Sequence, residues 1–139
     1  MIKNFGGEEV VFSYDDSRII IVPVPYDATS TYIKGADKGP SAILDASPAL
    51  EFYDVETGGE AYKEGIFTLP PVTTGDDPAE LKKAVYDITS AIFSEGRFPV
   101  TIGGNHSVSV GAFEAASEAF KGLTILQLDA HSDLRPVYE

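Results

Sequence analysis

Apolar residues along this chain fall into two patterns. Some form short continuous runs: Ile19, Ile20, Ile21, Val22 and Val24 within 19–25, Phe98, Val100 and Ile102 within 98–102, and Leu123, Ile125, Leu126 and Leu128 within 123–128. Runs of this length suit strands covered on both faces, as in a parallel sheet. Pro23 and Pro25 mark where the first run gives way to a loop. Other apolar residues recur at helical spacing. Leu81, Ala84, Val85, Ile88, Ala91 and Ile92 fall on one helical face. Asp77 is placed to cap that helix, Pro78 takes its first position, and Glu80 completes a capping-box pattern. Gly96 supplies the stop.

The remaining segments are shorter or more polar. Residues 40–47 predict a short helix with Pro40 in its first turn, ended by Pro48. Phe67, Thr68 and Leu69 suggest a short strand before Pro70 and Pro71. A further helix is expected over 108–120, with Ala112, Phe113, Ala116 and Phe120 facing inward. Residues 26–39 carry Asp, Thr, Ser, Gly and Lys with little periodicity, and a loop of that length is often functional. Residues 51–65 are polar, with Gly58 and Gly59 as a turn signal. Strand, helix and strand within roughly 30 residues make a βαβ unit. The expected fold is α/β: a three-layer α/β/α open sheet, mostly parallel, as one domain over residues 1–139. In such sheets ligands gather at the carboxyl ends of the strands.

Composition narrows the function classes. The chain has 139 residues, 43% hydrophobic and 23% charged, which is globular. It has no cysteine, so disulfides and thiolate metal sites are excluded, and this fits the cytosol. A net charge of −12 argues against a nucleic-acid partner. It suits a protein that handles cations, whether a metal or a cationic substrate, although a solvated acidic surface accounts for most of it. No apolar signal region follows residues 1–5, and the run at 19–25 is too short to span a bilayer. A cytoplasmic protein with no membrane partner is expected.

Candidate chemistry sits just past two predicted strands. Asp129, His131 and Asp133 alternate directly after 123–128, and alternate residues of an extended backbone share a face. His106 follows the run at 98–102. Carboxylates with imidazole and no sulfur favour Mn, Mg or Zn. Asp129 has two oxygens and could bridge two ions; an ion pair about 3.5–4 Å apart activates water at neutral pH. The competing explanation is a half-buried histidine and a polar loop with helix-capping aspartates. Gly103 and Gly104 could cradle phosphate on free N–H groups. Neither G-x-G-x-x-G nor G-K-[ST] is present, so the pair reads instead as a tight turn aiming His106 at the metals.

Gly103-Gly104-Asn105-His106-Ser107 and Asp129-Ala130-His131-Ser132-Asp133-Leu134-Arg135 resemble the first two signature motifs of the ureohydrolases, the family of arginase, agmatinase, guanidinobutyrase and formimidoylglutamase. Pro25-Tyr26-Asp27-Ala28-Thr29-Ser30, with Gly35-Ala36 and Gly39-Pro40-Ser41-Ala42-Ile43, resembles the loop and helix start of agmatinase-type members. The resemblance implies a binuclear manganese (Mn2+) centre. His106 would hold one ion and His131 the other, with Asp129 bridging and Asp133 joining His106. It implies hydrolysis of a small cationic guanidinium substrate, agmatine to putrescine and urea, in polyamine biosynthesis. It also implies a homo-oligomer, trimer or hexamer. Residues 26–39 would border the substrate entrance. Asn105 stands where members usually carry Asp or Glu. Members are longer, and the resemblance implies that two further aspartate ligands, a proton-shuttling histidine and a guanidinium-binding acid lie in a part not matched here. The expectation is therefore the amino-terminal half of an agmatinase-like enzyme, inactive alone. The alternative is a non-catalytic α/β metal-binding or assembly module.

Overall fold

The computed structural model describes residues 3–133. Three parallel strands form one sheet: β1 (Ile19–Val24), β2 (Ile66–Thr68) and β3 (Phe98–Gly103), in the order β2-β1-β3. Ile19 lies opposite Ile66 on one side and Phe98 on the other, and Val24 lies opposite Gly103. The central place of β1 explains its unbroken apolar run. Ile20, Val22 and Val24 cluster with Leu81, Val85 and Ile92 of helix α2 (Pro78–Ser94). Ile21 belongs to a second cluster with Val10 and Ile66, against which Phe5, Phe12, Phe52 and Tyr62 are partly buried. Burying each such Val or Ile contributes about 1.5–3 kcal/mol.

The helices follow their local signals. Helix α1 (Gly39–Ala46) has Pro40 in its first turn and passes into a 3₁₀ turn, Ser47–Ala49, that contains Pro48. Asp77 caps α2 by accepting the Ala79 N–H at 2.9 Å. Gly96 beyond its end has φ 71°, the left-handed conformation that glycine adopts without steric cost.

Two expectations need correction. Helix α3 (Ser109–Ala119) turns Gly111 and Ala115 inward, while Phe113 and Phe120 are exposed. The reason is the close approach of α3 to α2: a Cβ on Gly111 would lie 2.3 Å from the Lys82 carbonyl oxygen. Only small side chains fit that seam, so the aromatic rings fall outside it, and Phe120 instead packs edge-on against Phe93 at 5.3 Å. Second, residues 123–128 form no strand. Leu126 and Leu128 are 81% and 89% exposed. A strand needs a neighbour for its N–H and C=O groups. Among the described residues β3 pairs with β1 alone, and nothing pairs with 123–128. The βαβ unit expected from β3, α3 and that segment is therefore not formed. Helix α2 instead connects β2 and β3, which flank β1.

Candidate metal centre

Strands β1 and β3 end side by side, so the segments that follow them meet. Gly104 N–H donates to the Val24 carbonyl at 3.1 Å, and Asn105 N–H donates to the Tyr26 carbonyl at 3.0 Å. These amides are committed to the backbone beyond β1, which removes the phosphate-cradle alternative at this turn. A Cβ on Gly104 would stand 2.0 Å from the Tyr26 carbonyl oxygen, so the glycine is required by close approach. Tyr26 is buried and donates its hydroxyl to the Asp76 carbonyl at 2.7 Å. Burial, with the nearby Asp76 and Asp77 carboxylates, pushes its phenol pKa above the usual value.

The loop after β1 is folded around Asp27. Its carboxylate accepts from the Ser30 hydroxyl and, at 2.6 Å, from the Gly35 N–H. These bonds, that from Ser30 foremost, hold the Asp27 carboxyl below the ordinary carboxylate range. Lys34 Nζ donates to the carbonyls of Asp27 and Ala28 at 2.7 and 3.1 Å. After β3 the chain makes a 3₁₀ turn, His106–Val108, and enters α3.

The structure brings His106, Asp129 and Asp133 together. Each offers one ligand atom, and these atoms lie within 4.8 Å of one another. His106 Nδ1 is 3.2 Å from Asp133 Oδ2. With metal–ligand bonds of about 2.1 Å, adjacent ligands are about 3 Å apart and opposite ones about 4.2 Å, so the His106–Asp133 pair already has a ligand-pair spacing while the group as a whole must draw in to close on one cation. The donor set fits a hard-to-borderline ion such as manganese. All three residues are exposed.

The local backbone is not the extended strand that alternation suggested. Asp129 Oδ1 accepts the His131 N–H at 2.9 Å, which bends the chain, and Gln127 Nε2 donates to the His131 carbonyl at 3.2 Å. Asp133 has φ 52°, the one non-glycine residue with positive φ among those described. His131 is not part of the trio: its side chain is 84% exposed, with Nδ1 3.9 Å from Asp129 Oδ1. So three of the four predicted ligands converge and the fourth stands beside Asp129. Leu134 and Arg135, which extend the motif, lie outside the described residues. Gln127 was not singled out by the sequence, and Thr29 and Ser107 entered there only as members of motifs, with no role of their own.

The model of the arginase family matches residues 17–139. An N(1)-aminopropylagmatine ureohydrolase of Synechocystis is 38% identical, over 99% of this chain and 47% of its own length. Another, from Thermus thermophilus, is 34% identical over 91% of this chain and 43% of its own. An agmatinase of Bacillus anthracis is 32% identical, over 91% and 44%. Among solved structures, a putative agmatinase from Clostridium difficile superposes with a TM-score of 0.81 at 27% identity, over 91% of this chain and 46% of that one. The agmatine ureohydrolase of Thermoplasma volcanium gives 0.75 at 29% identity, over 83% and 39%. The chain thus spans about half the length of the curated relatives it matches. No helix among the described residues is long and apolar enough to cross a membrane.

Proposed function

Because the chain belongs to the arginase family, we propose that it supplies the metal-holding part of a manganese-dependent ureohydrolase that releases urea from a linear guanidino-amine. The observation that carries this reading is the convergence of His106, Asp129 and Asp133 just past the carboxyl end of β3. His131, one side chain away on Asp129, serves as the fourth ligand. Manganese, when bound, supplies Lewis-acid polarisation and makes water nucleophilic near neutral pH.

The chain's own residues do the rest of the work assigned here. The overall charge of −12 draws a cationic guanidinium toward the protein, while Asp129 and Asp133 would offset the charge of a bound cation. The loop at 26–39 borders that approach and is held against it through Asn105. Asp129 also accepts the His131 N–H and so bends the chain between them.

Agmatine, giving putrescine and urea, is the substrate proposed first. N(1)-aminopropylagmatine is the second reading, favoured by the names of the relatives at 38% and 34% identity. Both present a guanidinium on a cationic chain and differ by an aminopropyl extension. A cytoplasmic homo-oligomer, trimer or hexamer, completes the proposal. Urea release is to be measured with agmatine, aminopropylagmatine, arginine and guanidinobutyrate, with and without Mn2+. Mn2+-dependent release from either of the first two supports the reading. Tight Mn2+ binding without urea from any compound is the outcome both for a metal-holding part that is inactive alone and for a non-catalytic metal-binding or assembly module; urea release on adding the complementary part of a relative decides for the first, and its failure for the second. No Mn2+ binding at all refutes both.

A further inference from the structure

The side chain of Asn105 closes a ring of hydrogen bonds. Its Nδ2 donates to Thr29 Oγ1 at 2.8 Å. The Ser107 hydroxyl donates to Asn105 Oδ1 at 2.5 Å. The Thr29 and Ser107 hydroxyl oxygens are 3.0 Å apart. A hydroxyl has one proton to give, and that of Ser107 is committed to Asn105, so Thr29 is the donor in the third contact. The donors therefore run one way round: Asn105 amide to Thr29, Thr29 to Ser107, Ser107 back to the Asn105 carbonyl.

The second Asn105 N–H reaches Ser30 Oγ at 3.3 Å, and Ser30 gives its own proton to Asp27. No hydroxyl proton in this network is left over. Only a group that both donates and accepts can close such a ring. A carboxylate accepts only, so with Asp at this position the ring would open and Ser30 could not serve both carboxylates. Rings of aligned hydrogen bonds reinforce one another.

The ring joins two segments 76 residues apart in sequence. One is the loop that follows β1. The other is the turn carrying His106, whose exposed imidazole has little packing to hold it. We propose that Asn105 is a positioning residue, fastening the loop to that turn through Thr29 and Ser107 and so setting the readiness of His106 to take a metal. The metal half of this statement rests on the function proposed above; the fastening does not.

The test uses Thr29→Val, which is nearly isosteric and removes the hydroxyl, Thr29→Ser, which keeps it, and Asn105→Ala. Hydrogen exchange over residues 27–35 and 105–108 reads the fastening, and calorimetric Mn2+ titration reads the metal. Circular dichroism checks the fold. Thr29→Val and Asn105→Ala are expected to speed exchange in both segments and to weaken Mn2+ binding about tenfold, the scale of lost outer hydrogen bonds at metal sites. Thr29→Ser is expected to restore most of both. Unchanged exchange in a folded Thr29→Val or Asn105→Ala protein overturns the ring. Faster exchange with unchanged Mn2+ affinity overturns the positioning role. Failure of the unsubstituted protein to bind Mn2+ strikes the function proposed above, while the exchange result still decides the fastening.

Discussion

Gly104 packs directly against Tyr26: a Cβ at residue 104 would come within 2.0 Å of the Tyr26 carbonyl oxygen and 2.7 Å of its amide nitrogen. Both obstacles are backbone, which cannot swing aside. Gly104→Ala must therefore push β1 and β3 apart where they end. Overpacking of this kind costs about 1–3 kcal/mol, and a backbone clash belongs at the upper end. Thermal denaturation of Gly104→Ala should show a melting temperature lower by several degrees, with Mn2+ binding weakened because the His106 turn has moved. A melting temperature equal to that of the unsubstituted protein would contradict this account.

Gly111 poses the same question in a helix, where the sign is contested. In an ordinary helix interior Gly→Ala stabilises by about 0.5–1 kcal/mol. Here the new methyl group would meet the Lys82 carbonyl oxygen at 2.3 Å and the Tyr86 nitrogen at 2.7 Å. The expected overpacking cost of about 1–3 kcal/mol exceeds the propensity gain. Gly111→Ala should lower the midpoint in urea. A raised midpoint would mean that α3 can slide on α2, and the packing described above would be wrong.

For the proposed metal centre, Asp129→Asn separates charge from shape. An asparagine carbonyl can still accept the His131 N–H that bends the chain at 2.9 Å. The backbone should persist while the ligand charge is lost. Mn2+ affinity is expected to fall at least tenfold, with a far-ultraviolet spectrum unchanged. Asp133→Ala and His106→Ala should show losses of similar size. His131→Ala should weaken metal uptake as well, and full retention of stoichiometry and affinity in that variant would remove His131 from the ligand set.

Much of the fold was readable because local and global signals agree in it. The run at 19–25 is continuous since β1 is covered on both faces. Asp77, Pro78 and Gly96 bound α2 by chemistry that acts within a few residues. What escaped depends on distant partners. The run at 123–128 has strand composition, but pairing is a property of two segments, and no second one lies beside it among the described residues. The inward face of α3 differs from the expected one because Gly111 and Ala115, which make the close contact, carry a weaker apolar signal than Phe113 and Phe120. At the site, residue types pointed to metal chemistry. The bend at Asp129 and the left-handed Asp133 were not visible, since alternation in sequence assumes an extended chain.

The acid response of the loop after β1 follows from Asp27. Bonds from Ser30 and the Gly35 N–H lower its carboxyl pKa in the folded state. A group whose pKa is lower folded than unfolded contributes stability above its unfolded value, near 3.9, and loses it as pH falls through the folded value. The hydrogen bonds to Asp27 should thus persist at neutral pH and be lost only in acid below the ordinary aspartate range. The Gly35 amide donates to this carboxylate at 2.6 Å, so its proton chemical shift reports the titration directly. A midpoint below that of an ordinary aspartate is expected. In Asp27→Asn the amide bond can remain while the titrating group is gone, so the step should vanish. If the same step survived in Asp27→Asn, another carboxylate would govern the loop, and Asp27 would be only one of several acceptors around it.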